Sequence, residues 1–300
     1  MSSKSVRRVL SAPEPHWVGD GFLVHPLFAD AAFTAEISPF LMFDWAPPRS
    51  FAPSGSDRGV GPHPHRGMET VTIVDAGEVV HRDSAGNSGR IGPGDVQWMT
   101  AGAGILHEEM HGETIAEAGG VVSMAQLWVN LPARAKATPP RYQAIAADRI
   151  PVVAFDGGRV RVIAGPYGDA TGSVHRGPAE THTPLAVWDV TLEAGAAFSA
   201  AIPAGWRTLA AVTRGAATLG ERLLGTMTVA ILGDEDARLA ARAGPEGARL
   251  LVLAGEPIDE PIAAAGPFVM TTRAELVTAF EDFRRGRMGV LEPRGRSTEG

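Results

Sequence analysis

The sequence contains no cysteine. That excludes disulfides, thiolate metal sites and a cysteine nucleophile, so any metal must sit on nitrogen and oxygen ligands. It also fits a reducing cytoplasm, where the chain is expected. Long apolar runs are missing too. No stretch reaches about 18 uninterrupted apolar residues, so no membrane span is expected. A positive charge excess is absent as well: the formal net charge is -7 and the pI about 5.7. A mildly acidic chain does not suit a phosphate backbone, so no direct nucleic-acid partner is expected. Ser5-Val6-Arg7-Arg8-Val9-Leu10 faintly resembles a twin-arginine export signal. The apolar segment that should follow is replaced by Ala12-Pro13-Glu14-Pro15-His16, so this stretch reads as an ordinary first strand.

What is present points to an all-β chain. The 300 residues are 44% hydrophobic, enough for a substantial core in one large or two smaller domains. The 36 glycines and 23 prolines are spread out. They punctuate short runs at Glu69–Val74, Glu78–His81, Val96–Met99, Ala125–Asn130 and Val160–Ala164. Short strands separated by Gly-rich turns argue for a sandwich or barrel. Thr72-Ile73-Val74-Asp75-Ala76-Gly77 resembles Ala210-Ala211-Val212-Thr213-Arg214-Gly215, and Ile91-Gly92-Pro93-Gly94-Asp95 resembles Ala230-Ile231-Leu232-Gly233-Asp234. This weak duplication predicts two copies of one barrel, residues 1–135 and 136–300, joined near Pro139-Pro140. Helix is expected mainly at the end. Thr272-Arg273-Ala274-Glu275 has capping-box spacing, and Leu276, Ala279, Phe280 and Phe283 recur at helical intervals. The basic cluster from Arg284 to Arg287 then falls at the helix C-terminus, where it complements the macrodipole.

Five of the nine histidines lie between His63 and His111. Residues two apart in a strand share a face, so His63 and His65 project together, as do His107 and Glu109. Two such pairs on neighbouring strands could converge inside a barrel. Neutral imidazoles with a carboxylate suit iron or manganese, and four ligands leave two octahedral positions open. Glu69 is a competing carboxylate, sharing the face of His63 and His65 unless a bulge intervenes; otherwise it is a structural partner for Arg66 or Arg82. His81 and His111 are either donors that orient a ligand or, the reading preferred here, histidines without a metal role. His16, His25, His175 and His182 have no partners at ligand spacing and read as structural. Sliding the halves on Gly77 and Gly215 places Ala201 opposite His63 and Pro203 opposite His65, and no histidine follows His182. One metal per chain is the consequence.

At these residues the sequence resembles the pirins, members of the bicupin group. The resemblance rests on Phe40-Leu41-Met42-Phe43-Asp44, His63 to Thr70, Pro93 to Gly102, Gly104 to Met110 and Gln126 to Leu131. In the second half it continues at Ile202 to Trp206 and Gly266 to Met270. Met68 stands where an aromatic residue is usual, Ala103 replaces a larger residue, and residues 216–247 match poorly. The resemblance implies two cupin barrels (double-stranded β-helices) and a short C-terminal helix. It implies one divalent metal, Fe2+ first with Mn, Ni, Cu, Co or Zn as alternates, on His63, His65, His107 and Glu109 in the N-terminal barrel, and none in the C-terminal one. Glu69 remains the fallback ligand. It further implies a dioxygenase of the quercetinase type, opening a flavonol such as quercetin with O2. In that reading the substrate is a small aromatic or enolic molecule, and Glu109 or another nearby carboxylate takes a proton from its hydroxyl. Ligand counting leaves a net charge of about +1 on the site, which favours an anionic substrate. Phe43, Met68, Trp98, Met99 and Trp128 are candidates for the pocket, with core packing expected for at least half. The alternative is a non-enzymatic metal-binding regulator acting through protein–protein contacts. A metal-free structural cupin is the third reading.

Overall fold

A computed structural model describes residues 3–29 and 34–292. Three large sheets dominate it. The first half forms two of them. A four-stranded sheet runs in the order Gly59–His65, Ile105–His111, Val79–Asp83, Ser88–Ile91. A seven-stranded sheet contains Val96–Thr100, Met68–Ala76, Gly120–Asn130, Phe40–Phe51 and Phe22–Phe28 as consecutive neighbours. Most of the second half forms one nine-stranded sheet. The sequence-predicted strands are all present, and so is the helix, at Arg273–Arg284. Thr272 caps it with the full reciprocal box to Glu275. Among the described residues no helix is long and apolar enough to cross a membrane.

Period-two alternation divides the apolar residues between two kinds of core. On the seven-stranded sheet, Phe43, Trp45, Val71, Ile73, Trp98 and Leu127 face outward. They pack on Val187, Leu209, Ala211, Leu251 and Leu253 of the second barrel, in one core shared by both halves. The opposite faces turn into each barrel. The first barrel's inward cluster includes Phe22, Val24, Ala46, Val74 and Met124. The second barrel is filled by Trp188, Val190, Ile202, Val212, Leu250 and their neighbours.

The halves also exchange their ends. Val6–Ser11, the expected first strand, pairs with Thr228–Leu232 at the edge of the second barrel's sheet. Arg141–Ile145, beyond the expected division at 135, pairs with Val96–Thr100 of the first barrel. In return, the hairpin Ala263–Ala265/Phe268–Met270 and the final helix cover the first barrel. Phe268, Met270 and Leu276 pack with Leu106, and Val269 packs with Leu41 and Met68. Lys136 fastens this return. Its buried ammonium donates to Gly67 O at 2.8 Å, Asn130 Oδ1 at 2.7 Å and Val269 O at 2.8 Å.

Candidate metal centre

His63 and His65 lie on an edge strand of the four-stranded sheet. That placement explains how Pro62 before them and Pro64 between them are tolerated, since proline cannot donate into a central ladder. The neighbouring strand sets His107 directly opposite His63 and Ile105 opposite His65. Cross-strand partners share a face, so all three imidazoles point into the barrel. A register shift then places Glu109 opposite Val60. The ring centroids of His63 and His107 are 4.2 Å apart, and both stand 5.0 Å from that of His65. One ligating nitrogen from each lies within 4.8 Å of the others.

Each imidazole is oriented through its other nitrogen, as metal-binding histidines commonly are. His63 Nδ1 bonds Gly61 O at 2.8 Å, and His65 Nδ1 bonds Pro267 O, on the returning hairpin, at 3.4 Å. His107 Nδ1 meets His81 Nδ1 at 3.4 Å, and His81 Nε2 meets Asp83 Oδ2 at 3.1 Å. Asp83 is fixed in turn by the Ala85 and Asn87 amides. His81, expected from the sequence to have no metal role, therefore stands against His107, with Tyr142 stacked on its ring at 4.4 Å.

Two observations fit a metal here. His107 Nε2 is buried without a hydrogen-bond partner, a costly arrangement for a polar atom unless something else occupies it. Two of the imidazoles, His65 and His107, are also held neutral, the state a metal requires. Burial, reinforced by the charge of His63, lowers the His65 pKa to about 3. Burial first, and then the neighbouring histidines, lowers that of His107 well below its usual value.

Glu109 occupies the wall beside this cluster, sharing a cavity of about 20 Å³ with His63. Thr72 Oγ1 at 2.9 Å and Gln97 Nε2 donate to its Oε1, and Gln126 Nε2 donates to Oε2 at 2.7 Å. The remaining walls of the cavity include Val18, Phe22, Val24, Met124 and Asp44. None of these, nor Thr72, Gln97 and Gln126, stands out in the sequence as a site residue. Their one shared signal, a polar residue on an otherwise apolar strand face, needs the strand pairing before it means anything.

Glu69 goes elsewhere. The strand bearing His63 and His65 ends at His65, and the next begins at Met68. Gly67 turns between them at φ +79°, where a Cβ would lie 2.1 Å from Val269 O. The face count is reset at this turn. Thr72 faces Glu109, whereas Glu69 accepts from Thr100 Oγ1 at 2.7 Å. Glu69, like Glu109, is not part of the three-histidine group, and it lies on the strand face opposite to Thr72 and Glu109. Nor does it take either proposed arginine: Arg66 pairs with Asp282, and Arg82 with Glu108.

Of the aromatic and thioether candidates for the pocket, Phe43 and Trp98 belong to the core between the barrels. Met68 packs on Leu41 and Val269, and Met99 on Ala101 and Ile105. Trp128 alone reaches the cluster, its ring 5.1 Å from His65 in an edge contact. It also lines a cavity of about 490 Å³ with Met42, Ile262 and Arg273. A larger cavity, about 1050 Å³, lies on the second barrel, remote from this chemistry. Three of its charged residues are committed: Arg238 to Ser199, Arg242 to Gly195 O, and Asp169 to Thr171, Ser173 and His175.

Comparison with known proteins agrees with this architecture. Residues 22–129 match the family Pirin, and residues 187–289 match the Pirin C-terminal cupin domain. A Pseudomonas aeruginosa protein named "Putative quercetin 2,3-dioxygenase" is 51% identical over 95% of this chain and 98% of its own length. Human pirin is 36% identical over 85% of this chain and 84% of its own. The crystal structure of a quercetin 2,3-dioxygenase from Acinetobacter baumannii superposes with a TM-score of 0.92 at 47% identity, covering 97% of this chain and all of that one. With both barrels matched in order and the relatives covered nearly end to end, the chain belongs to the pirin family.

Proposed function

We propose that this chain is a metal-dependent dioxygenase that opens a flavonol such as quercetin with O2. The observation that carries the reading is the convergence of three histidines, one with an unpartnered buried nitrogen, beside a small cavity walled by two carboxylates. The names of the relatives point to the same substrate class. His63, His65 and His107 would hold a divalent metal, iron first, with Glu109 as the fourth ligand. Such a metal supplies Lewis acidity toward a hydroxyl oxygen and, as iron, redox capacity toward O2.

The protein's own groups do the positioning. Thr72, Gln97 and Gln126 hold the Glu109 carboxylate in one orientation. The half-exposed His63 marks the side from which a substrate arrives. The cavity of about 20 Å³ accepts a single oxygen-sized group. A hydroxyl can enter while the rings stay at the mouth, and deeper entry requires Val18, Val60 or Met124 to move. Apolar walls exclude bulk water from whatever anion forms there.

The test is to incubate iron-loaded protein with quercetin and follow O2 uptake, carbon monoxide release and the flavonol absorbance. All three should change together. Protein shown to hold iron that consumes neither O2 nor quercetin would sink the proposal.

A further inference from the structure

The site contains a carboxylate that nothing so far uses. Asp44 sits on the strand Phe40–Phe51, where alternation sends Phe43 and Trp45 outward to the core between the barrels and leaves Asp44 and Ala46 on the inward face. Asp44 is 7% exposed. Its Oδ1 is buried with no hydrogen-bond partner, and its side chain lines the cavity shared by His63 and Glu109. The apolar walls around it, Val18, Phe22, Val24, Val60 and Met124, have no side-chain donors to offer, and Gln126, its cross-strand partner, gives its amide to Glu109 Oε2.

Glu109 is the obvious rival for any proton chemistry, and its lone pairs are already assigned. An ionised carboxylate has about four acceptor positions. Three are taken by Thr72, Gln97 and Gln126. The fourth is the one a metal would use. Asp44 has the reverse condition: a free acceptor atom on a side chain that lines space for one oxygen. A buried, unpaired carboxylate costs stability, and such groups concentrate where chemistry needs them.

Deepening the flavonol reading and resting on it, we propose that Asp44 is the general base of this site. Its Oδ1 takes the proton of a substrate hydroxyl that enters the cavity beside His63 and keeps it there. The hydroxyl O–H bond breaks and an Oδ1–H bond forms. The electron pair of the broken bond stays on the substrate oxygen, which becomes an anion facing the histidine cluster. Charge is conserved, because the aspartate is neutralised as the hydroxyl is ionised. The poise suits the task. Burial raises the Asp44 pKa to about 6, with a partial offset from His16. At pH 7 Asp44 is then mostly ionised, and an anion arriving beside it favours its protonation further. The other titratable groups around this space are His63 and Glu109 on the cavity wall and His16 on the neighbouring hairpin.

The test needs no turnover. Zinc-loaded wild type and Asp44→Asn, checked for equal metal and unchanged circular dichroism, are mixed anaerobically with 3-hydroxyflavone in dilute buffer at pH 7. Absorbance counts the flavonol anion formed, and a pH indicator counts the protons released. Wild type should release close to none per anion, because Asp44 keeps the proton. Asp44→Asn should release close to one. In the iron-loaded form, kcat should fall about a hundredfold or more with KM little changed. Equal proton release from the two proteins would overturn the role of Asp44 while leaving the flavonol reading intact. Failure of 3-hydroxyflavone to bind wild type would overturn the flavonol reading instead, and the same comparison with catechol would then decide Asp44. If catechol is also refused, the base assignment falls with it.

Discussion

Replacing Glu69 by Gln separates a metal ligand from a buried charge, and the two accounts differ in sign. Glu69 is 1% exposed, and its Oε2 has at most a long contact with the Trp98 indole N–H in place of a full hydrogen bond. Burial raises its pKa to about 7 against an ordinary 4.5, although the Thr100 bond pulls the other way. A folded-state pKa raised above the unfolded one means stability that is full below pH 4.5 and is lost as pH climbs through 7. The loss between pH 5 and pH 8 is about 2 kcal/mol. Glutamine does not titrate, so the variant escapes this loss. It still leaves an amide N–H seeking a partner, at about 1–2 kcal/mol. Glu69→Gln should therefore be less stable than wild type at pH 5 and equal or more stable at pH 8. Urea unfolding followed by tryptophan fluorescence at the two pH values measures the crossover, and elemental analysis of the same samples should show metal content unchanged. A stability difference independent of pH would refute the buried-charge argument. Loss of metal would restore Glu69 as a ligand.

The neutral histidines give the opposite pH dependence. With the His65 pKa lowered to about 3 from 6.5, the unfolded chain binds the proton first as pH falls. Metal-free protein should lose about 2 kcal/mol between pH 6.5 and pH 5 from this residue alone, measured by denaturant titration; a flat profile would mean that the imidazole is not buried neutral. Lys136→Met removes three buried hydrogen bonds that join Gly67, Asn130 and Val269. It should cost about 2 kcal/mol or more and weaken metal retention, because the hairpin that Lys136 ties down carries Pro267, whose carbonyl orients His65. A variant with unchanged melting temperature and metal affinity would remove Lys136 from this role.

Much of the site was legible because strand geometry is periodic at two residues. His63 with His65, and His107 with Glu109, could be paired on paper, as could the capped helix at Thr272. Three things could not. Register was one: only sheet pairing shows that His107 stands opposite His63. The turn at Gly67 was another, since a positive φ there resets which face Glu69 occupies and counting residues does not reveal it. The third was long-range assembly. Asp44 and Gln126 are direct cross-strand partners but lie far apart in sequence, and Pro267 returns from the other end of the chain to orient His65. The exchange of ends between the barrels belongs to the same class, because nothing local to Val6–Ser11 states which barrel it will join.

The histidine cluster as the holder of one metal is tested most directly by metal content. Wild type purified without an affinity tag should carry close to one divalent ion per chain by elemental analysis. His63→Ala should lose most of it while keeping its circular dichroism, since the second barrel and the shared core do not depend on this side chain. Full occupancy in His63→Ala, or a wild type that takes up no metal when supplied with iron, would contradict the account.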